Sequence, residues 1–279
     1  MQGTLTFLGT GTSMGVPTLG CTCAVCTSTD PQDKRLRPSI LLRWPCAEGQ
    51  AEHTAHDEKR PCERVVLIDT GPDFRQQALR AGVHRVDAVF YTHSHADHIF
   101  GLDDLRPLSF ITWREAGPIP LYAAKETRDA LERIYSYTLS PEANYPTRAK
   151  VTLKDVAAGA PIQVKEVTFI PIPVLHGDLP ILGYRFGNAA YLTDVSVIPE
   201  SSFAMLEGLD VLVLAALRHK PHPSHATVDQ AVRWASRIGA RESWFTHISH
   251  DLGAAETNAR LPEGMALAYD GLTLPVTLA

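Results

Sequence analysis

Ala88-Val89-Phe90-Tyr91-Thr92-His93-Ser94-His95-Ala96-Asp97-His98 is the stretch that decides how this chain is read. A short apolar run bounded by polar residues reads as a buried strand. His93, His95, Asp97 and His98, all metal-ligand types, follow it directly. Side chains alternate along a strand, so His93 and His95 point the same way as the strand runs out. Asp97 and His98 then begin a turn or helix and can face a second ion. Imidazole suits zinc and iron, and an added carboxylate admits harder ions such as manganese. The spacing therefore predicts two metal ions rather than one.

Upstream, Thr4–Leu8 reads as a strand feeding the turn Gly9-Thr10-Gly11-Thr12-Ser13, and Ser39–Trp44 as a second strand. Val65–Ile68 is a buried-strand run that ends in Asp69-Thr70-Gly71, and a helix over 73–81 is closed by Gly82. Downstream, the spacing predicts a helix over 125–137, a loop over 140–150 and a strand over 164–172. Leu182–Phe186 and Ala190–Leu192 form a hairpin about Gly187-Asn188. A strand over 211–214, an amphipathic helix over 227–238 and a strand over 243–246 follow. Asp270-Gly271 lies between two apolar segments and predicts a closing hairpin. Strands alternating with helices, with hairpins among them, define a layered α/β protein with sheets of mixed direction.

More ligand candidates end other strands. His176 follows Pro173-Val174-Leu175, Asp194 follows Tyr191-Leu192-Thr193, and His247 follows Trp244-Phe245-Thr246. Open α/β sheets place their sites at such carboxyl ends. Each alone reads equally as a cap or a satisfied core residue; together with the histidine box they complete a two-ion site.

Composition narrows the function classes. Over 279 residues, Lys and Arg total 26 against 31 Asp and Glu, a net charge of −5 and a poor start for a nucleic-acid binder. The longest apolar run, Val211–Leu217, is far short of the ~20 residues that span a bilayer. Met1-Gln2-Gly3-Thr4 shows no signal-peptide pattern. The reading is a cytoplasmic chain with no membrane partner, one domain over 1–279, and an exposed mobile loop at 46–63. Of five cysteines, Cys21, Cys23 and Cys26 cluster as a metal site would. Cys46 and Cys62 bracket the loop and read as free thiols, a Cys46–Cys62 bridge being the less favoured reading in a reducing cytosol. His53, His56 and His84 read as surface residues, and His219 and His222 as substrate-facing or solvated.

The box at His93–His98, the strand-end Asp69 ahead of it and the order His176, Asp194, His247 resemble the metallo-β-lactamase fold hydrolases over the whole chain. The resemblance implies an αββα sandwich, two mixed β-sheets flanked by helices. It assigns one ion to His93, His95 and His176, another to Asp97, His98 and His247, and a bridging role to Asp194. A finer resemblance is to PhnP-type phosphodiesterases, through Gly9-Thr10-Gly11, the C-x-C-x2-C group Cys21, Cys23, Cys26, and Thr246-His247-Ile248-Ser249-His250. It implies a structural zinc on Cys21, Cys23, Cys26 and His250, a closed tetrahedral set.

His225, just before the helix at Thr227, matches the non-ligand catalytic histidine of PhnP-type enzymes and of ribonuclease Z. Asp97 and His225 are thus the catalytic candidates, with Asp97 also a ligand. The implied reaction is hydrolysis of a small phosphodiester, cyclic, ribosyl or nucleotide-type, by a hydroxide held on two ions, zinc or manganese. Arg106, Arg114, Arg218 and Lys220 are candidate anion binders. Ribonuclease Z-like tRNA 3′ processing, a PqqB-type metal protein, a thioesterase or lactamase, and a non-catalytic metal protein are the alternatives. The resemblance is compatible with a homodimer.

Overall fold

The computed structural model describes residues 1–47, 62–140 and 146–278. Six strands come first: β1 (Gln2–Gly9), β2 (Ser39–Pro45), β3 (Glu63–Ile68), β4 (Ala88–Phe90), β5 (Ile119–Ala123) and β6 (Val151–Asp155). Then follow β7 (Ile162–Val164), β8 (Val167–His176), β9 (Leu179–Phe186), β10 (Ala189–Leu192), β11 (Val211–Ala215), β12 (Glu242–Thr246) and β13 (Met265–Leu267), and last β14 (Thr273–Thr277). The helices are α1 (Phe74–Arg80), α2 (Ala96–Ile99), α3 (Leu105–Ala116), α4 (Lys125–Ile134), α5 (Ser136–Leu139), α6 (Glu200–Phe203), α7 (Val228–Ile238) and α8 (Ala254–Asn258).

Two seven-stranded mixed sheets form, in the orders β14-β1-β2-β3-β4-β5-β6 and β13-β12-β11-β10-β9-β8-β7. The inner strands β3, β4 and β11 are apolar on both faces because both of their faces are covered. In β3, Val66 and Ile68 enter the core between the sheets, while Val65 and Leu67 face outward to Phe74, Leu105 and Leu131. In β11, Val211 and Val213 enter the same central core, and Leu212 and Leu214 turn to Val228, Ala231 and Ala235 of α7. The result is the expected αββα layering. Phe90 anchors the centre, stacked on Tyr122 at 4.7 Å and Phe169 at 4.4 Å between ring centroids. Each such buried side chain contributes roughly 1.5–3 kcal/mol.

Thr227 caps α7 in a capping box with Gln230, as a Thr followed three residues on by Gln allows. The hairpin about Gly187-Asn188 pairs Ala189 with Phe186. Other expectations are corrected. Residues 164–172 are not one strand: Lys165 takes a φ of +52° and folds β7 back on β8, with Val164 opposite Val167. No Gly or Asn marks that turn. The helix expected over 125–137 ends at Ile134 and restarts at Ser136.

Asp270-Gly271 is not a hairpin, because β13 pairs with β12 in one sheet and β14 with β1 in the other. Asp270 is instead a clamp. Its Oδ1 accepts from the Thr10 amide (2.9 Å) and hydroxyl (2.8 Å), and its Oδ2 from the Leu36 amide (2.9 Å).

Cys46 and Cys62 are not free thiols; they form a disulfide. The β2–β3 ladder pairs Pro45 with Glu63, so the next residues out are brought opposite each other, and the Cys46 amide donates to Cys62 O. Apart from its ends, the loop expected at 46–63 lies outside the described residues, with His53 and His56. Among the described residues no helix is long and apolar enough to cross a membrane.

Candidate metal centres

The site lies where strands of both sheets end together. β3 and β4 run parallel, as do β10, β11 and β12, so their carboxyl ends share an edge. β8 is antiparallel to β9, and β9 to β10; two reversals bring His176, the last residue of β8, to that same edge. Glycines allow the close approach. A Cβ on Gly71 would lie 2.0 Å from Asp97 O, and one on Gly101 would lie 2.1 Å from Gly71 O.

The expected residues converge. Ligand atoms of His93, His95 and His176 lie within 4.8 Å of one another, and so do those of Asp97, His98, Asp194 and His247. Asp194 belongs to the second group, and its carboxylate also lies within 4.8 Å of the ligand atoms of His176, from the first group, and His225. Its Oδ2 is 3.2 Å from His98 Nε2 and 3.2 Å from His247 Nδ1, while its Oδ1 is 4.0 Å from His225 Nδ1. His98 Nε2 and His247 Nδ1 are buried and make no hydrogen bond. Buried polar atoms without a partner are costly, and imidazole nitrogens aimed at shared carboxylates are a donor set that fits divalent cations.

Backbone geometry points the same way. Asp69, Asp194 and His247 all take positive φ, between +56° and +66°. None is glycine, so each costs of order 1–3 kcal/mol, and such strain gathers at functional sites.

The charges are strongly coupled. Burial disfavours the His98 imidazolium, but Asp97, Asp194 and Asp69 around it more than compensate and hold it well above the ordinary histidine range. Burial raises Asp97, and the facing His98 charge overcomes this and leaves its carboxyl low. Burial pushes His93 and His247 down. Burial, with His247 beside it, pushes His225 down to about 3. His225 stacks on His247 at 4.8 Å and lies 4.5 Å from the His176 ring. It is also within ligand reach of His176 and Asp194, so the geometry alone leaves it either a ligand or a reacting group.

Several partners escaped the sequence reading. Asp69 Oδ2 lies 2.7 Å from His98 Nδ1 and accepts from the Thr92 hydroxyl, while its Oδ1 accepts from the Thr92 amide. Its place at a strand end was the only signal. His176 Nδ1 donates to Ser224 O at 2.6 Å, which turns Nε2 away from that carbonyl. Of the anion-binding candidates, Arg218 turns back on its own loop, to Lys220 O and Pro221 O, and Lys220 is exposed. Arg106 and Arg114 ride on α3. His222 lies 4.9 Å from the His225 ring, whereas His219 faces a separate cleft with Val228 and Arg233.

A second cluster brings Cys21, Cys23, Cys26 and His250 together. His250 Nδ1 lies 3.2, 3.5 and 3.6 Å from the sulfurs of Cys21, Cys23 and Cys26. Backbone amides of Cys26 and Thr18 point at the sulfurs of Cys23 and Cys26. The Cys26 amide is the main cause that lowers Cys23 to about 6, whereas burial raises Cys26. Behind the cluster, buried Arg35 donates to Asp33, Ser249 O and Leu252 O, tying the loop to the His250 segment.

Residues 64–248 match the β-lactamase superfamily domain. A solved structure described as a new diphosphatase from the PhnP family superposes with a TM-score of 0.87 at 50% identity, covering 100% of this chain and 98% of that one. An octanoyltransferase of Porphyromonas gingivalis is 39% identical over 267 residues, 95% of this chain. The chain spans only 50% of that protein's length. Ribonuclease Z of Mycobacterium bovis is 26% identical over 253 residues, covering 81% of this chain and 84% of that protein. With the sandwich and the histidine box already described, the chain belongs to the metallo-β-lactamase superfamily and, within it, to the PhnP family. It is a metal-dependent hydrolase.

Proposed function

We propose that this hydrolase cleaves a small phosphodiester, cyclic, ribosyl or nucleotide-type, with one cation held by His93, His95 and His176 and another by Asp97, His98 and His247. Asp194 serves both. The observation that carries this is the Asp194 carboxylate, which lies 3.2 Å from His98 and His247 of the second group and within 4.8 Å of the ligand atom of His176 from the first. Two divalent cations bound there would supply Lewis-acid charge for the phosphate oxygens and an acidified water as nucleophile.

The chain's own residues supply the rest. Asp69 holds the His98 proton on Nδ1, so that a cation replacing the second proton of the imidazolium would meet the Nε2 lone pair on the side of Asp97 and Asp194. Ser224 O does the same for His176. His225 Nδ1 is buried and without a hydrogen-bond partner. That atom is suited to carry a proton toward the leaving oxygen once an anionic substrate raises its affinity for one. Cys21, Cys23, Cys26 and His250 hold a structural zinc as a closed Cys₃His set. The reading involves no nucleic-acid or membrane partner and is compatible with a homodimer.

A substrate panel on zinc- and manganese-loaded protein tests the proposal. It contains a ribosyl cyclic phosphate, a cyclic nucleotide, a phosphoanhydride, a pre-tRNA and a thioester. Fastest turnover on a small cyclic diester is expected. Cleavage of pre-tRNA alone would favour the ribonuclease reading, which the Mycobacterium bovis relative motivates. Turnover of the phosphoanhydride alone would give this chain the activity named for the PhnP-family neighbour.

A further inference from the structure

A carboxylate shared between two donor groups must hold its plane, yet the terminal torsion of an aspartate is broad and roughly two-fold. Backbone strain fixes where Asp194 begins, with a φ of +56°, but not how its carboxylate turns. The neighbouring side chain does. Thr193 Oγ1 donates to Asp194 Oδ2 at 2.6 Å, the short distance typical of a hydroxyl bonded to a charged carboxylate. Thr193 is 1% exposed and Asp194 2% exposed, so water does not compete for this bond. Thr193 directly follows β10, and a β-branched side chain has restricted χ1, which fixes the hydroxyl in turn. The oxygen it holds is the one lying 3.2 Å from both His98 Nε2 and His247 Nδ1.

We propose that Thr193 is a positioning residue: its hydroxyl sets the Asp194 carboxylate in the plane that serves both donor groups, and so sets cation affinity at the Asp97, His98, Asp194 and His247 group. The inference rests on the reading that this group holds a cation. Hydrogen bonds to ligands from behind are worth about 10–100-fold in metal affinity.

The test is Thr193→Val, which keeps the shape and removes the hydroxyl, beside Thr193→Ser, which keeps the hydroxyl. Zinc affinity is measured by competition with a chromogenic chelator on protein whose cysteine cluster stays loaded. Thr193→Val is expected to bind zinc about 10–100-fold more weakly at the His/Asp site, with Thr193→Ser close to wild type. Equal affinity in Thr193→Val and wild type overturns the proposal, as does a Thr193→Ser as weak as Thr193→Val. If Thr193→Val does not fold, Thr193→Ser against Thr193→Ala isolates the same hydroxyl, and equal affinities there overturn it too. A wild-type protein that takes up zinc only at the cysteine cluster would refute the site reading itself, an outcome distinct from the others.

Discussion

Asp69 Oδ2 lies 2.7 Å from Nδ1 of His98, and neither side chain reaches solvent. This contact makes His98 a directed donor rather than a freely tautomerising ring. Thr92 completes the arrangement by donating to both oxygens of the same carboxylate.

Asp69→Asn should therefore weaken active-site metal binding by about 10–100-fold. With its oxygen kept by the Thr92 amide, the new amide nitrogen would face His98 Nδ1 and push the ring proton to Nε2. That removes the lone pair from the side facing Asp97 and Asp194. Chelator competition measures the loss, and wild-type affinity in this variant would show that the tautomer is set by something else.

Cys23→Ser should lower both the metal content and the melting temperature. A closed thiolate site contributes folding free energy, whereas the open His/Asp site contributes chemistry. Elemental analysis should find up to three metals per chain in the wild type. One of them should be zinc that survives a mild chelator able to abolish activity. Unchanged metal content and melting in Cys23→Ser would remove the structural role.

His225→Ala separates an acid from a ligand. An acid role predicts retained metal and a kcat reduced by about 10²–10⁴. The loss should be larger on a ribosyl cyclic phosphate, which leaves as an alkoxide, than on a bis-p-nitrophenyl diester, which leaves as a stabilised phenolate. Equal losses would indicate that His225 binds phosphate electrostatically. Lost metal would make it a ligand with His176 and Asp194, whose donor atoms it can reach.

Arg35→Ala should destabilise the fold by about 3–5 kcal/mol, because it leaves Asp33 buried without its charge partner. It also frees the carbonyls of Ser249 and Leu252 that Arg35 binds. Chemical denaturation at fixed zinc measures this. A change below about 1 kcal/mol, the scale of a surface pair, would mean that the loop is held by the metal cluster alone.

The sequence by itself determined what local periodicity and residue chemistry can carry. Val65–Ile68, Ala88–Phe90 and Val211–Leu214 are apolar throughout because both faces of each sheet are covered, so their runs were visible. The histidine box was legible because its alternation after a strand has few other uses. The helix over 227–238 was legible from its amphipathic spacing, which a helix presents within a few turns of its own sequence.

Only the tertiary structure decided what depends on residues far apart in the chain. Asp270 looked like half of a hairpin turn, yet its carboxylate holds Thr10 and Leu36 across more than 200 positions. Cys46 and Cys62 became partners because the β2–β3 register puts them opposite each other, which a separation of 16 residues does not state. Thr193 and Arg35 carry no motif, and the strand-end place of Asp69 does not say which ring it binds. Their roles come from burial beside a particular imidazole, carboxylate or carbonyl, and a buried polar group's partners are chosen by the packing of the whole sandwich rather than by its neighbours in sequence.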